Sequence, residues 1–223
     1  DPAGNVSNEA CVKIKILNPA DKATYQDMRG DADEFAAMWL KENGIYLVMD
    51  LQTIRVIGAG ECPQLAGQRY NYYGMFVPEL IEAQKRFITR LLAHRNPYTG
   101  LTLAEDPVLA LIIFHNENSM LYQPNRNRIT SPYALKILKD RFNAYLAQKY
   151  GNRNALKKAW KTLNDAEDPA RGSVELPMNP SGKQYSLRRL ADMRLFYYEI
   201  QKSYYHEIRT HLKKLGVRVP MTG

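Results

Sequence analysis

Two short apolar runs do most to limit what this chain can become. Ile45-Tyr46-Leu47-Val48-Met49 and Val108-Leu109-Ala110-Leu111-Ile112-Ile113-Phe114 lack the polar alternation of a strand with one wet face. Runs of this kind are expected to form strands buried on both faces, which belong to parallel sheets covered by helices. A helical pattern precedes the first run and another separates the two, so the expected class is α/β.

The intervening pattern is consistent with that class. Asp31 to Asn43 predicts a helix with Phe35, Met38 and Trp39 on one face and a stop at Asn43-Gly44. Residues 52–76 read as a long loop with exposed-type aromatics. A helix from Pro78 to about His94 carries Leu80, Ile81, Phe87, Ile88, Leu91 and Leu92 inward. Ser131-Pro132 opens a helix to about Tyr150, and a shorter one carries Leu156, Trp160 and Leu163. Ser186 starts a long helix with Leu190, Ile200, Tyr204, Ile208 and Leu215, closed by Gly216. Val217 to Met221 reads as a third strand. The first thirty residues form a poorly readable lead-in, apart from Cys11–Leu17, whose alternation suits a short strand.

Composition narrows the function classes. The chain has 223 residues, 45% hydrophobic and 24% charged, which excludes a disordered tail or a collagen. No stretch approaches about 18 consecutive apolar residues, so no membrane partner is expected. The net charge of +8 comes from residues scattered along helices, among them Lys136, Lys139, Arg188, Arg189 and Lys213. Solvated helix faces account for this pattern, and no nucleic-acid partner is expected. Cys11 and Cys62 lack metal-ligand spacing and imply no disulfide framework. The chain opens Asp1-Pro2 with no signal peptide, which suggests a processed chain or an excerpt.

In parallel α/β folds, function gathers at the carboxyl ends of the strands. The second apolar run ends there in His115-Asn116-Glu117-Asn118-Ser119. A carboxyl leaving an apolar strand can have its pKa raised by desolvation, which suits a general acid, and a neighbouring amide can orient a substrate hydroxyl. Equally, the asparagines can cap a turn while Glu117 points to water. Spacing alone leaves both readings open.

An ordered set of motifs adds to this. Asn96-Pro97-Tyr98-Thr99-Gly100-Leu101, Ala104-Glu105-Asp106-Pro107, Asn116-Glu117-Asn118-Ser119, Lys149-Tyr150-Gly151, Ala159-Trp160 and the closing Leu215 to Gly223 occur in that order. From about residue 31 onward the chain resembles the clan of retaining glycoside hydrolases built on (β/α)8 barrels, in a cellulase-like or β-galactosidase-like subgroup. The resemblance implies a parallel (β/α)8 TIM barrel of which only the middle portion, about strands 3 to 5, is present, so that residues 1–223 form the central part of one catalytic barrel. It implies a glycosidase that cleaves β-linked poly- or oligosaccharides by a two-carboxylate mechanism. Glu117 would be the acid/base and Asn116 would bind the sugar 2-hydroxyl. His115, Asn118, Gln52 and Tyr122 are further substrate-binding candidates, with packing or turn formation the competing role for His115 and Asn118. No cofactor is implied. The partners are a carbohydrate substrate and the remainder of the same barrel, and the location is secreted or periplasmic.

One departure stands against the match. Retaining hydrolysis needs a second carboxyl roughly 5 to 5.5 Å from the first. Glu61, Glu105, Glu167 and Glu175 are loop carboxylates, but none follows an apolar strand as the family nucleophile does. The nucleophile is therefore expected outside this chain, leaving the excerpt alone inactive. A catalytically incomplete carbohydrate-binding module is the alternative. A zinc site built on His115-x-Glu117 would need a later Pro-Cys-x-x-Cys, which is missing, so no metal is expected.

Overall fold

The computed structural model describes residues 37, 38, 40–51, 55–116, 118–122, 126–178 and 185–223. Helical backbone ends at Glu42 and Gly44 turns the chain with φ +69°. The order is then β1 (Leu47–Asp50), α1 (Pro78–Ala93), β2 (Leu109–Ile113), α2 (Pro132–Tyr150), α3 (Arg153–Trp160), α4 (Leu187–Lys214) and β3 (Met221–Thr222), with 3-10 turns at Pro63–Leu65, Tyr70–Tyr72 and Pro169–Arg171.

The three strands form one parallel sheet in the order β1-β2-β3. Met49 pairs with Ile112 and Ile112 with Met221 across the ladders. Met49 and Ile112 are buried, and their face of the sheet joins the hydrophobic core. The helices bury most of their expected stripes, with Phe87, Leu91, Leu190 and Leu215 half-buried. Leu80, Ile81, Ile88 and Leu92 of α1 are buried, as are Met193, Phe196, Tyr197, Ile200, Tyr204, Ile208 and Leu212 of α4. The end of α4 shows how sequence sets topology. Gly216 adopts φ +89°, its N–H reaches Lys213 O at 3.1 Å, and Val217 N reaches Leu212 O at 3.2 Å. This pair of bonds is the Schellman stop, which needs a left-handed residue at Gly216 and returns the chain to the sheet as β3.

The α2–α3–α4 side is tied together by charge. Asp192, fully buried, accepts from Trp160 Nε1 at 2.7 Å, Tyr150 Oη at 2.5 Å and Lys149 Nζ at 2.8 Å. Burial pushes its carboxyl pKa up, but the bonds from Lys149, Trp160 and Tyr150 outweigh that and hold it below the ordinary aspartate value. Next to it, Arg189 grips Glu167 through two bonds of 3.0 and 2.6 Å, with its guanidinium 4.7 Å from the Trp160 ring centre.

Four expectations need correction. The (β/α)8 barrel, whole or partial, is overturned. Among the described residues the sheet has three strands and stays open, with β1 and β3 each pairing on one side only. The barrel came from the resemblance; the apolar runs required only a parallel sheet. Second, β1 is not buried on both faces. Met49 is inside, whereas Val48 is 53% and Tyr46 70% exposed, as an edge strand with one covered face allows. Third, the last strand is confined to Met221–Thr222, and Val217 is buried in the turn that leads to it. Fourth, the loop aromatics Tyr70 and Tyr73 are core residues. Tyr70 lies so close to Gly74 that a Cβ there would meet its ring at 2.5 Å.

Candidate functional site

The carboxyl edge of the sheet is where strand geometry gathers polar side chains. β1 ends in Asp50, and Leu51 N bonds to Ile113 O at 2.9 Å. β2 continues its pairing one residue further, with Phe114 N on Thr222 O at 2.7 Å. Phe114 is buried, and its ring lies 5.6 Å from Tyr205 of α4. The chain then leaves the sheet at His115.

His115 is 1% exposed. Its ring stands edge-on to Tyr204 with centroids 5.3 Å apart, and its Nδ1 is 3.2 Å from Asn118 Nδ2. The same Asn118 nitrogen donates to Asn71 O at 2.7 Å, so it is the amide N–H2 group and Nδ1 of His115 is the acceptor. The ring proton therefore sits on Nε2, which has no hydrogen-bond partner among the described residues. Burial lowers the His115 pKa to about 4, so the imidazole is neutral at ordinary pH.

Above this buried residue the chain surfaces. Asn116 is exposed and Asn118 half-buried. Glu117, between them in sequence, lies outside the described residues, as does Gln52. The segment that follows is clamped from two sides. Gln201 of α4 accepts from Ser119 Oγ at 2.9 Å and from Met120 N at 3.1 Å. Arg126, buried, donates to Met120 O at 3.0 Å and Leu121 O at 2.6 Å, with its guanidinium 4.9 Å from the Tyr197 ring centre. Tyr122 stands beyond these clamps, 57% exposed.

No family model matches the chain, and no curated protein matches it.

Of the residues singled out from sequence, His115, Asn116 and Asn118 come together at one strand end, and Tyr122 follows on the same clamped segment. His115 is interior, and its burial keeps it from touching a ligand on the surface. Three of the four loop carboxylates are occupied elsewhere. Glu61 is bidentate with Arg55 at 2.5 and 2.6 Å. Glu105 accepts from the Thr102 backbone and hydroxyl, which lowers its pKa. Glu167 is held by Arg189. Glu175 is exposed, its backbone N–H spent on Glu167 Oε1 at 3.1 Å.

Sequence reading missed the support. Asn71, Arg126 and Gln201 position the strand-end segment and no local pattern marks them, whereas Tyr204, which packs against His115, lies on the expected inward stripe of α4. Asp50 was more accessible, being a carboxylate that ends an apolar run. It is the carboxylate that the described residues place at this edge, near enough to Tyr204 to help raise its pKa, which burial chiefly drives up. Tyr204 Oη and Tyr70 Oη both meet Gln84 Oε1, at 2.7 and 3.0 Å. Tyr204 also lines a cavity of about 160 Å³ with Phe76, Ile81, Arg141, Ser203 and Glu207. That cavity includes none of the strand-end residues. Among the described residues no group of three or more His, Cys, Asp or Glu could hold a metal, and no helix is long and apolar enough to cross a membrane.

Proposed function

We propose that this protein is a glycoside hydrolase acting on β-linked poly- or oligosaccharides by the retaining two-carboxylate route, with Glu117 as acid/base and the nucleophile supplied from outside this chain. The observation that carries the reading is Asn116, exposed at the carboxyl edge of a parallel sheet, on a segment whose base is buried and hydrogen-bonded. An amide held there can donate to a sugar 2-hydroxyl, a bond that strengthens as charge develops in the transition state. Glu117 protonates the departing glycosidic oxygen and afterwards takes a proton from water. Tyr122, with its ring exposed, offers a face for sugar stacking. The protein works outside the cytoplasm, where polymeric substrates lie.

A second reading is a carbohydrate-binding module with no turnover. The occupied state of Glu61, Glu105 and Glu167 favours it, since none is available as a nucleophile. A panel of β-glucan, β-mannan and β-galactoside oligosaccharides, given to the protein expressed from its complete reading frame and followed by NMR of the freshly released anomer, separates the two. Retained β-product supports the hydrolase. Inverted product rejects the retaining route, and tight binding with no product selects the binding module.

A further inference from the structure

We infer that Asn118 and His115 are positioning residues, not sugar contacts: the Asn118 amide, bonded at once to Asn71 O and His115 Nδ1, locks the strand-end segment bearing Asn116 to the 3-10 turn Tyr70–Tyr72. Three observations carry this. The Asn118 bonds join parts of the chain 47 residues apart, at 2.7 Å to Asn71, while the His115 bond closes the segment on itself at 3.2 Å. His115 is 1% exposed and edge-on to Tyr204, so it forms a fixed floor. Its Nε2–H has no partner among the described residues, and a buried donor left unpaired opposes folding. A leucine or phenylalanine would fill the same space without that penalty. What an imidazole adds is an acceptor at Nδ1 facing the Asn118 amide.

The arrangement has a spectroscopic signature that packing alone lacks. With Asn118 donating, His115 carries its proton on Nε2. An aspartate at 118 has no proton to donate and accepts instead, so Asn118→Asp should move the His115 proton to Nδ1. Two-bond 1H–15N correlation spectra of the imidazole at neutral pH read this directly. Backbone 15N relaxation reads the consequence. In the wild type the Asn116 and Asn118 amides should show order parameters near about 0.85, falling below about 0.6 in Asn118→Ala, while α2 and α4 keep theirs.

The kinetic arm rests on the glycosidase reading. There Asn118→Ala should lower kcat about 100-fold with KM within about threefold, because a misplaced acid costs transition-state contact and leaves sugar binding in place. If the wild-type protein expressed from its complete reading frame turns over no glycoside, the glycosidase reading fails and the tautomer and order-parameter arms still decide this inference. The inference is overturned if Asn118→Asp leaves the proton on Nε2, or if Asn118→Ala leaves Asn116 as ordered as before. Should Asn118→Ala fail to fold, His115→Gln serves in its place. It keeps an acceptor for the Asn118 amide, and should hold Asn116 at wild-type order, whereas His115→Leu should not.

Discussion

Trp160 donates its indole N–H to a fully buried carboxylate, Asp192, across 2.7 Å. The bond spans α3 and α4, and Lys149 and Tyr150 of α2 complete the carboxylate's shell. An ion pair removed from water is costly to break on one side only. Asp192→Asn should therefore destabilise the protein by about 2 kcal/mol in urea unfolding. The value lies below the range for fully buried pairs because the Lys149 side chain keeps 26% of its exposure.

Two acid-sensitive windows should separate. Hydrogen bonds hold the Asp192 and Glu167 carboxyls below their ordinary pKa values against the opposing effect of burial. A depressed carboxyl stabilises the fold above its unfolded pKa, and that contribution fades as pH falls through the folded one, which places the loss below about pH 4. His115 acts earlier. Its folded pKa of about 4 lies under the unfolded value of about 6.5, so the unfolded chain binds the extra proton between them. Stability should drop by about 3 kcal/mol from pH 6.5 to 4 on this account. His115→Gln should flatten that upper window while leaving the lower one intact, as thermal melts across pH would show.

Gly74 is a packing position. Its absent Cβ leaves room for the Tyr70 ring, which would otherwise stand at 2.5 Å. Gly74→Ala should cost about 2 kcal/mol by forcing apart the Tyr70–Gln84–Tyr204 contacts. Tyr70→Phe should not relieve it, because the clash includes ring carbons. A double-mutant cycle by urea unfolding checks both statements.

The class of fold was legible because helix periodicity and caps are local. Pro78, Pro132, Ser186 and Gly216 lie where the helices begin and end. Exposure of Val48 was not legible, since an apolar run looks the same in a central strand and in an edge strand with one open face. Closure into a barrel was inferred from resemblance, and strand pairing is a long-range property that motif order does not encode. At the site, His115, Asn116 and Asn118 could be found because they end an apolar strand together. Their supports could not. Asn71 and Gln201 lie far off in sequence, and each acts through one hydrogen-bonding side chain or carbonyl that any loop or helix surface offers.

The role proposed for Glu117 is to give a proton to a departing sugar oxygen. The direct measurement is Glu117→Gln in the protein expressed from its complete reading frame, assayed on aryl β-glycosides of graded leaving-group pKa. Poor leaving groups need the acid, so their turnover should fall about 100- to 10,000-fold, while activated dinitrophenyl glycosides lose far less at the glycosylation step. Equal turnover by Glu117→Gln and wild type across the series, or an equal loss on every substrate, would contradict the account.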